Sequence, residues 1–215
     1  MHCPLCQTAE PQLFYVQPKP PNEGREYWQC GHCEVIFVPA EFQLDAAAEK
    51  AVYDQHQNDP SDAGYRAFLS QTLTPLVERL PAGAEGLDFG SGPGPTLSLM
   101  LEEAGFSCSN YDIYYANDPA RLTRTYDFVT CTEVAEHLAQ PQQVIEQLVG
   151  LLRPAGVLAI MTRSLETATD FATWGYRQDS THITFYGNKA FAWIAQHWQL
   201  KVLFQDQRTV IFQRA

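Results

Sequence analysis

The sequence is poor in positive charge. Its 215 residues include 14 lysines and arginines against 25 aspartates and glutamates, which gives a formal net charge of −11. Proteins that hold nucleic acid through its phosphates present a basic face, because much of their affinity comes from counterion release. The few cations here are scattered along the chain. An extended nucleic-acid partner or an anionic membrane surface is therefore not expected.

Long apolar runs and export signals are also missing. The longest strongly apolar stretch lies around residues 156–161, far shorter than the roughly 20 residues that cross a bilayer. The first ten residues have neither the basic region nor the apolar core of a signal peptide. We therefore expect a cytoplasmic protein without a membrane span, in which six cysteines indicate metal binding or buried thiols rather than disulfides. The sequence leaves the oligomeric state open.

Four of the cysteines form two Cys-x-x-Cys pairs, Cys3 with Cys6 and Cys30 with Cys33. Short apolar segments that read as strands lie between and after the pairs, so residues 1–40 are predicted to form a ribbon around one tetrahedral site. A ribbon this small buries too little surface to fold alone, which predicts a structural metal, zinc before iron. A redox dithiol pair or two disulfides are the alternatives.

Residues 41–80 have a polar, helical pattern that breaks near Asn58 to Ser61, and Asp62 is a suitable N-cap for the second helix. Two interpretations of this bridge stay open. In one, its tyrosines only pack the helices onto the main domain. In the other, the bridge covers a cofactor pocket as a lid, and His56 and Tyr65 face a bound substrate.

A glycine-rich turn follows the short apolar strand that starts at Gly86, and a helix and a second strand ending at Asp112 come next. This order is the first half of a nucleotide-binding βαβ unit. Asp112 can accept both ribose hydroxyl protons of NAD or of S-adenosylmethionine (SAM). Asp88, at the mouth of the turn, would repel a pyrophosphate, whereas SAM has no phosphate and carries an ammonium and a sulfonium. Pro95 also stands where a dinucleotide fingerprint has glycine. The turn therefore favours SAM.

The segment LDFGSGPGPTLSLMLEEAGF (residues 87–106) resembles the first motif of class I SAM-dependent methyltransferases. The similarity continues through residues 126–137, with their E-V-x-E-H segment, and residues 151–158, and it covers about residues 81–165. The ribbon, Tyr-x-x-His-x-Asn and Trp-x-Tyr…Thr-His…Phe-Tyr resemble a bacterial zinc-ribbon subfamily. The resemblance implies a Rossmann-like α/β sheet with helices on both faces over residues 81–215, and methyl transfer from SAM.

The resemblance also assigns cofactor-binding residues. They are Asp88, Gly90, Ser91, Gly92, Gly94, Asp112, Ile113, Thr132 and Glu133. One departure concerns the interval after Asp112, where only residues 113–126 precede the next strand. The third strand of the family is therefore expected to be truncated, and Tyr114 is a candidate to stack on the adenine in place of the usual polar contact.

The acceptor should lie beyond the carboxyl ends of the strands, near Glu136 and the loop after Met161. Aromatic side chains with interleaved polar groups suit a small organic acceptor. The predicted acceptor pocket consists of Trp174, Tyr176, His182, Tyr186, His56 and Tyr65. His182 and His137 are candidate catalytic bases, with local hydrogen bonding as the alternative role of each. An RNA-modifying methyltransferase and a non-catalytic SAM-binding module remain as rival functions.

Overall fold

A central mixed sheet and a smaller antiparallel sheet make up the computed structural model, which describes residues 1–8, 10–55 and 58–215. His56 therefore lies outside the described residues. The strands are β1 (Gln12–Val16), β2 (Glu26–Gln29), β3 (Ile36–Phe37), β4 (Glu85–Phe89), β5 (Ser107–Tyr111), β6 (Tyr126–Thr132), β7 (Leu152–Met161), β8 (Thr184–Phe185), β9 (Leu200–Gln205) and β10 (Thr209–Arg214). The α-helices are α1 (Ala46–Tyr53), α2 (Ala63–Val77), α3 (Thr96–Glu103), α4 (Pro141–Gly150) and α5 (Asn188–His197).

The central sheet has the strand order β5-β4-β6-β7-β10-β9. β5, β4, β6 and β7 run parallel, and β10 lies antiparallel between β7 and β9, one position in from the edge. Between Asp112 and β6 the structure has one isolated bridge and a short 3-10 helix, Pro119–Thr123, but no strand of this sheet. The expected truncation after β5 is therefore present.

Helices cover both faces of this sheet, as expected for a Rossmann-like α/β fold. Leu69 of α2 and Leu101 of α3 belong to one apolar cluster, whereas Ile145 of α4 and Ile194 of α5 belong to the other. The parallel strands are buried on both sides, which explains why β7 ends in a continuous apolar run. In β4 the spacing is tight, because a Cβ on Gly86 would lie 2.1 Å from the ring of Phe128.

The smaller sheet joins the ribbon to the segment that precedes α5. Its order is β1-β2-β3-β8, with Ile36 opposite Phe185 and Phe37 opposite Thr184. Cys3 and Cys33 lie in the same apolar cluster as α4 and α5. The ribbon was expected to be an appendage, and its pairing with β8 was not predicted. Through this pairing, residues 1–40 pack against residues 171–186.

Arg177 connects the two parts from inside. Its side chain is 2% exposed, and its guanidinium lies 4.7 Å from the centre of the Tyr15 ring. It donates to Gln17 Oε1 at 2.8 Å and to the backbone oxygens of Phe171 and Ala172. A buried guanidinium is tolerated where its donors are satisfied and aromatic faces surround it.

Replacing this guanidinium should loosen the ribbon. Arg177→Ala removes the buried guanidinium and its hydrogen bonds to Gln17 and to the Phe171 and Ala172 oxygens, so we expect the free energy of unfolding to fall by about 3 kcal/mol in urea titrations. Arg124→Ala, at an exposed arginine, is the control and should change it by less than about 0.5 kcal/mol. Equal losses in both variants would contradict a structural role for Arg177.

Candidate active site

A cavity of about 570 Å³ opens at the carboxyl ends of β4, β5 and β6. The glycine turn and the residues after β5 line one side, and residues 132–138 line another. Tyr53, Asn58, Tyr65 and Phe68 of the helical bridge form part of the wall. The bridge therefore does more than pack against the main domain, which favours the interpretation that it covers the cavity.

The glycine turn needs its glycines for both conformation and space. Gly90 and Gly92 have φ values of +77° and +65°, in the left-handed region that favours glycine. A Cβ on Gly90 would lie 2.3 Å from the Val134 side chain, and one on Gly94 would lie 2.1 Å from the Asn58 backbone oxygen. The turn can thus approach a ligand closely while the bridge packs against it.

Asp112 organises the backbone around the cavity as well as lining it. Its Oδ2 accepts a hydrogen bond from the Gly92 N–H at 2.9 Å, and its Oδ1 accepts from the N–H groups of Tyr114 and Tyr115 at 2.8 and 3.1 Å. Oδ1 thus has both of its lone-pair sites occupied, whereas Oδ2 keeps one site for a further donor. The carboxylate therefore sits where ribose hydroxyls could donate to it.

Asp88 lies deeper, at the floor of the cavity. It is buried and accepts one hydrogen bond, from Thr130 Oγ1 at 2.7 Å. Burial raises the pKa of Asp88 to about 6, and the negative charge of Asp112 adds to the increase. A positively charged ligand would stabilise the ionised form.

Tyrosines connect α1 to the loop after β5. Glu49 accepts hydrogen bonds from Tyr53 at 3.0 Å and from Tyr114 at 2.7 Å. The rings of Tyr53 and Tyr114 lie 6.0 Å apart, and both residues line the cavity. Tyr114 is thus exposed to a ligand, and its stacking on adenine stays a prediction.

The other end of the cavity holds two histidines and a buried glutamate. The His137 and His182 rings lie 4.8 Å apart, and both residues line the cavity. Glu136 is fully buried, and its Oε1 accepts from the Tyr176 hydroxyl at 2.6 Å. Asp179 also lines this end, with its Oδ2 3.9 Å from His182 Nε2.

Glu133, at the end of β6, has a strained backbone with φ of +52°. Its N–H donates to the Met161 oxygen at 2.8 Å, which fixes the residue at the edge of the sheet. Burial, and then the charge of Glu136, raises the pKa of Glu133 to about 8. The buried Glu133 carboxyl is thus biased toward its protonated form.

The structure brings most of the predicted site residues together. The predicted cofactor residues all line the cavity, as do Tyr65, His137 and His182. Trp174 and Tyr186 do not: Trp174 packs against Phe171 and Phe185, and Tyr186 is 1% exposed and donates to the Ala135 oxygen. Tyr176 does not line the cavity either, but it contacts the lining residues Glu136, through its hydroxyl, and His182, whose ring lies 4.2 Å from its own. These aromatic side chains pack in the apolar core behind the residues that line the cavity, because β8 pairs with β3 of the ribbon.

Sequence reasoning gave no role to three lining residues, Glu49, Asn58 and Asp179. Glu49 and Asn58 belong to the bridge, whose position over the turn depends on tertiary packing. Asp179 stands two residues before Thr181 and accepts from its N–H, a local pattern that marks a turn rather than a site. Glu136 was placed near the pocket, and only the buried contact with Tyr176 shows its importance.

The four ribbon cysteines form a second cluster. Their sulfurs lie within 4.8 Å of one another, with Cys3 Sγ 3.6 Å from Cys33 Sγ and Cys6 Sγ 3.4 Å from Cys30 Sγ. Zinc–sulfur bonds of about 2.3 Å in a tetrahedron separate the sulfurs by about 3.8 Å. A hydrogen bond from the Cys33 thiol lowers the pKa of Cys3 to about 5. The cluster therefore fits a four-thiolate zinc site.

Comparison with known proteins decides the family. The family described as "Methyltransferase domain" matches residues 61–205, about two thirds of the chain. The chain belongs to the methyltransferase domain family. A ubiquinone biosynthesis O-methyltransferase of Colwellia psychrerythraea is 29% identical over 115 residues, covering 54% of this chain and 44% of that protein. One of Shewanella is 33% identical over 95 residues, covering 42% of this chain and 38% of that protein. The chain thus spans less than half the length of these relatives.

Solved structures support the same fold for this methyltransferase-family chain. An O-methyltransferase family protein from Burkholderia thailandensis superposes with a TM-score of 0.53 at 20% identity, covering 82% of this chain and 62% of that one. Magnesium protoporphyrin IX methyltransferase of Synechocystis, with bound S-adenosylhomocysteine (SAH), gives 0.54 at 17% identity, covering 81% and 96%. Within the described residues of this chain, no helix combines the length and hydropathy of a membrane span.

The raised pKa of Asp88 predicts that its ionised carboxylate lowers the stability of the cofactor-free protein while it favours the binding of SAM. Its pKa is higher in the folded than in the unfolded protein, so the folded state binds more protons between about pH 4 and pH 6. The free energy of unfolding without cofactor should therefore fall as pH rises through that window. Asp88→Asn removes the buried charge and should raise this free energy by about 2 kcal/mol at pH 8, while weakening SAM binding at least fivefold.

The measurements are urea titrations at pH 4.5 and pH 8 and calorimetry with SAM. Glu146→Gln, at an exposed carboxylate on α4, controls for a general change of charge. A loss of stability in Asp88→Asn at pH 8, or unchanged SAM affinity, would show that the Asp88 charge is not kept for a cationic ligand.

Proposed function

We propose that this chain transfers the methyl group of SAM to a small-molecule acceptor. The observation that carries the proposal is one continuous cavity that holds Asp112 and the glycine turn at one end and His137 and His182 at the other. Its volume lies within the range of small-ligand sites. The adenosine would bind at the Asp112 end, and the acceptor would occupy the histidine end.

Asp88 and Asp112 supply the charge that the cofactor needs. SAM carries a sulfonium and an ammonium, and two carboxylates at the turn favour these groups over a pyrophosphate. In the transfer, a lone pair of the acceptor forms a bond to the methyl carbon, and the carbon–sulfur bond breaks. The sulfonium becomes the thioether of SAH. No metal is required for this step, because the leaving group is already activated.

The main task of the enzyme is then alignment and exclusion of water. Holding two reactants in line can lower a barrier by roughly 7–11 kcal/mol. Tyr53, Tyr65 and Phe68 of the bridge lie over the cavity and would shield the transfer path. The name O-methyltransferase of the curated relatives supports an organic small molecule as acceptor. Whether oxygen or nitrogen receives the methyl group depends on the residues at the acceptor end.

Removing Asp112 tests the cofactor site. Asp112→Ala deletes the proposed ribose contact and also three hydrogen bonds to backbone N–H groups. We expect calorimetry to show a 10- to 100-fold weaker affinity for SAM, about the value of charged hydrogen bonds. Glu146→Ala is the control. Normal SAM binding by Asp112→Ala, or tighter binding of NAD than of SAM by the native protein, would place the cofactor elsewhere or change its identity.

We also propose that Cys3, Cys6, Cys30 and Cys33 hold a structural zinc ion. All four positions of the tetrahedron would be thiolates, so the ion has no open position for catalysis. Binding of this ion would stabilise more than the ribbon, since β3 of the ribbon pairs with β8. Arg25 donates to the His182 oxygen at 2.8 Å, and Tyr27 donates to the Arg177 oxygen at 3.1 Å.

Cys30→Ser should therefore affect the acceptor wall more than the cofactor site. We expect loss of bound zinc, faster hydrogen exchange over residues 177–186, and a SAM dissociation constant within about threefold of the native value. Cys108→Ala, at a buried thiol outside the ribbon, should leave zinc content and exchange unchanged. Native protein without stoichiometric zinc, or loss of zinc with unchanged exchange over this segment, would refute the coupling.

A further inference from the structure

Three hydrogen-bond acceptors converge at the acceptor end of the cavity. One carboxylate oxygen of Glu136 and one ring nitrogen each of His137 and His182 lie within 4.8 Å of one another. All three residues line the cavity. The chemistry of such a group depends on which atoms carry protons.

Backbone oxygens determine which ring nitrogen of each histidine carries the proton in the neutral form. His137 Nδ1 lies 3.0 Å from the Thr181 oxygen, and His182 Nδ1 lies 2.6 Å from the Tyr176 oxygen. A carbonyl oxygen only accepts, so each Nδ1 carries the proton and donates. In the neutral rings Nε2 is then left with a lone pair. Burial lowers the pKa of His182, which favours this neutral form.

Glu136 supplies the third acceptor. Its Oε1 is taken by the Tyr176 hydroxyl, whereas Oε2 is buried and has no hydrogen-bond partner among the described residues. Leaving a buried carboxylate oxygen unpaired costs free energy. The site therefore lacks donors, and a suitable ligand must bring them.

The cavity also lacks a balancing cation. Six carboxyl side chains line it, and none of the described lining residues is lysine or arginine. These residues are Glu49, Asp88, Asp112, Glu133, Glu136 and Asp179. Arg163 and Arg208 act on Glu133 from a distance, but burial and Glu136 still raise its pKa. An anionic acceptor would be repelled, and a cationic one would be attracted.

The spacing admits an ammonium as it stands and a divalent metal ion after a small contraction. Hydrogen bonds of about 2.9 Å from a tetrahedral nitrogen reach acceptors about 4.7 Å apart. Adjacent nitrogen and oxygen ligands of one divalent ion, at about 2.1 Å, lie only about 3.0–3.5 Å apart. The one His–Glu distance resolved here, from His137 Nε2 to Glu136 Oε1, is 3.9 Å. A metal would require the three side chains to contract around it.

We infer that the acceptor is an amine, held as its ammonium by Glu136 Oε2, His137 Nε2 and His182 Nε2, an inference that rests on the proposed methyl transfer. Before transfer, one N–H proton passes to Glu136 Oε2. The nitrogen lone pair then forms the N–CH₃ bond while the carbon–sulfur bond of SAM breaks. The products are an N-methylammonium ion and SAH.

The test uses methylammonium chloride as the probe, with methanol and sodium acetate as matched neutral and anionic probes at equal ionic strength. The full chain is loaded with SAH, so that the cofactor end is blocked and no turnover occurs. Imidazole NMR signals of His137 and His182, assigned with His137→Asn and His182→Asn, report binding. For so small a probe we expect a dissociation constant on the order of 10 mM, at least tenfold below that of methanol, and no effect of acetate.

Glu136→Gln replaces one acceptor oxygen by a donor and keeps an oxygen for Tyr176. We expect at least tenfold weaker methylammonium binding in this variant, while Glu146→Gln binds as the native protein does. SAH affinity, measured on the same samples, shows that the site is folded. If Glu136→Gln does not fold, His182→Leu removes one acceptor and should weaken binding of the probe at least threefold.

The outcomes separate the two proposals. Failure of the native protein to bind SAM or SAH refutes the proposed function itself. Normal SAH binding with methylammonium no tighter than methanol, or unaffected by Glu136→Gln, refutes the amine acceptor alone. Binding that requires Mg²⁺ or Zn²⁺ and disappears with a chelator would show that a metal ion occupies the three acceptors, which also overturns the inference.

Discussion

Buried negative charge at the carboxyl end of the central sheet is the constraint on which the site depends. Asp88 is the last residue but one of β4, Glu133 directly follows β6, and Asp112 directly follows β5. Backbone N–H groups hold the Asp112 carboxylate and the Thr130 hydroxyl holds that of Asp88, while the Glu133 backbone N–H donates to the Met161 oxygen. Such an arrangement is unfavourable without a ligand, since desolvation raises the pKa of Asp88 and Glu133. It becomes favourable when a phosphate-free cation fills the cavity.

The ribbon takes part in the same site from the opposite direction. Its side chains donate to backbone oxygens along the segment that carries His182: Asn22 to Gln178, and Arg25 to Asp179 and His182. Between the 3-10 helix Gly175–Gln178 and β8 the backbone has no regular secondary structure, so these bonds help to hold it in place. A four-cysteine cluster far from the transfer path can thus determine the geometry of the acceptor wall, although it supplies no group to the reaction.

Much of the cofactor half could be predicted from the sequence, because its determinants are local. Gly90 and Gly92 need a left-handed backbone, and Asp112 follows a short strand, so their roles can be recognised in adjacent residues. The acceptor half could not be predicted in this way. Trp174 and Tyr186 are residue types that often line pockets. Because β3 pairs with β8, however, their side chains are buried in apolar clusters that join two distant parts of the chain. The spacing of residues along the sequence does not predict that pairing.

Glu136 illustrates why residue type alone misdirects the search for a base. The histidines attract attention because their usual pKa lies near neutrality, but each spends its Nδ1 proton on a backbone oxygen, and His182 is kept neutral. Methyl transfer to an amine moves the positive charge from the sulfonium to the nitrogen without removing it from the cavity. In the proposed step the nitrogen must first give up one proton, and Glu136 takes it, so Glu136 is neutral while the methyl group moves. In this proposal the neutral imidazoles orient the nitrogen, and Glu136 serves as the base that frees its lone pair rather than as a charge beside the transfer.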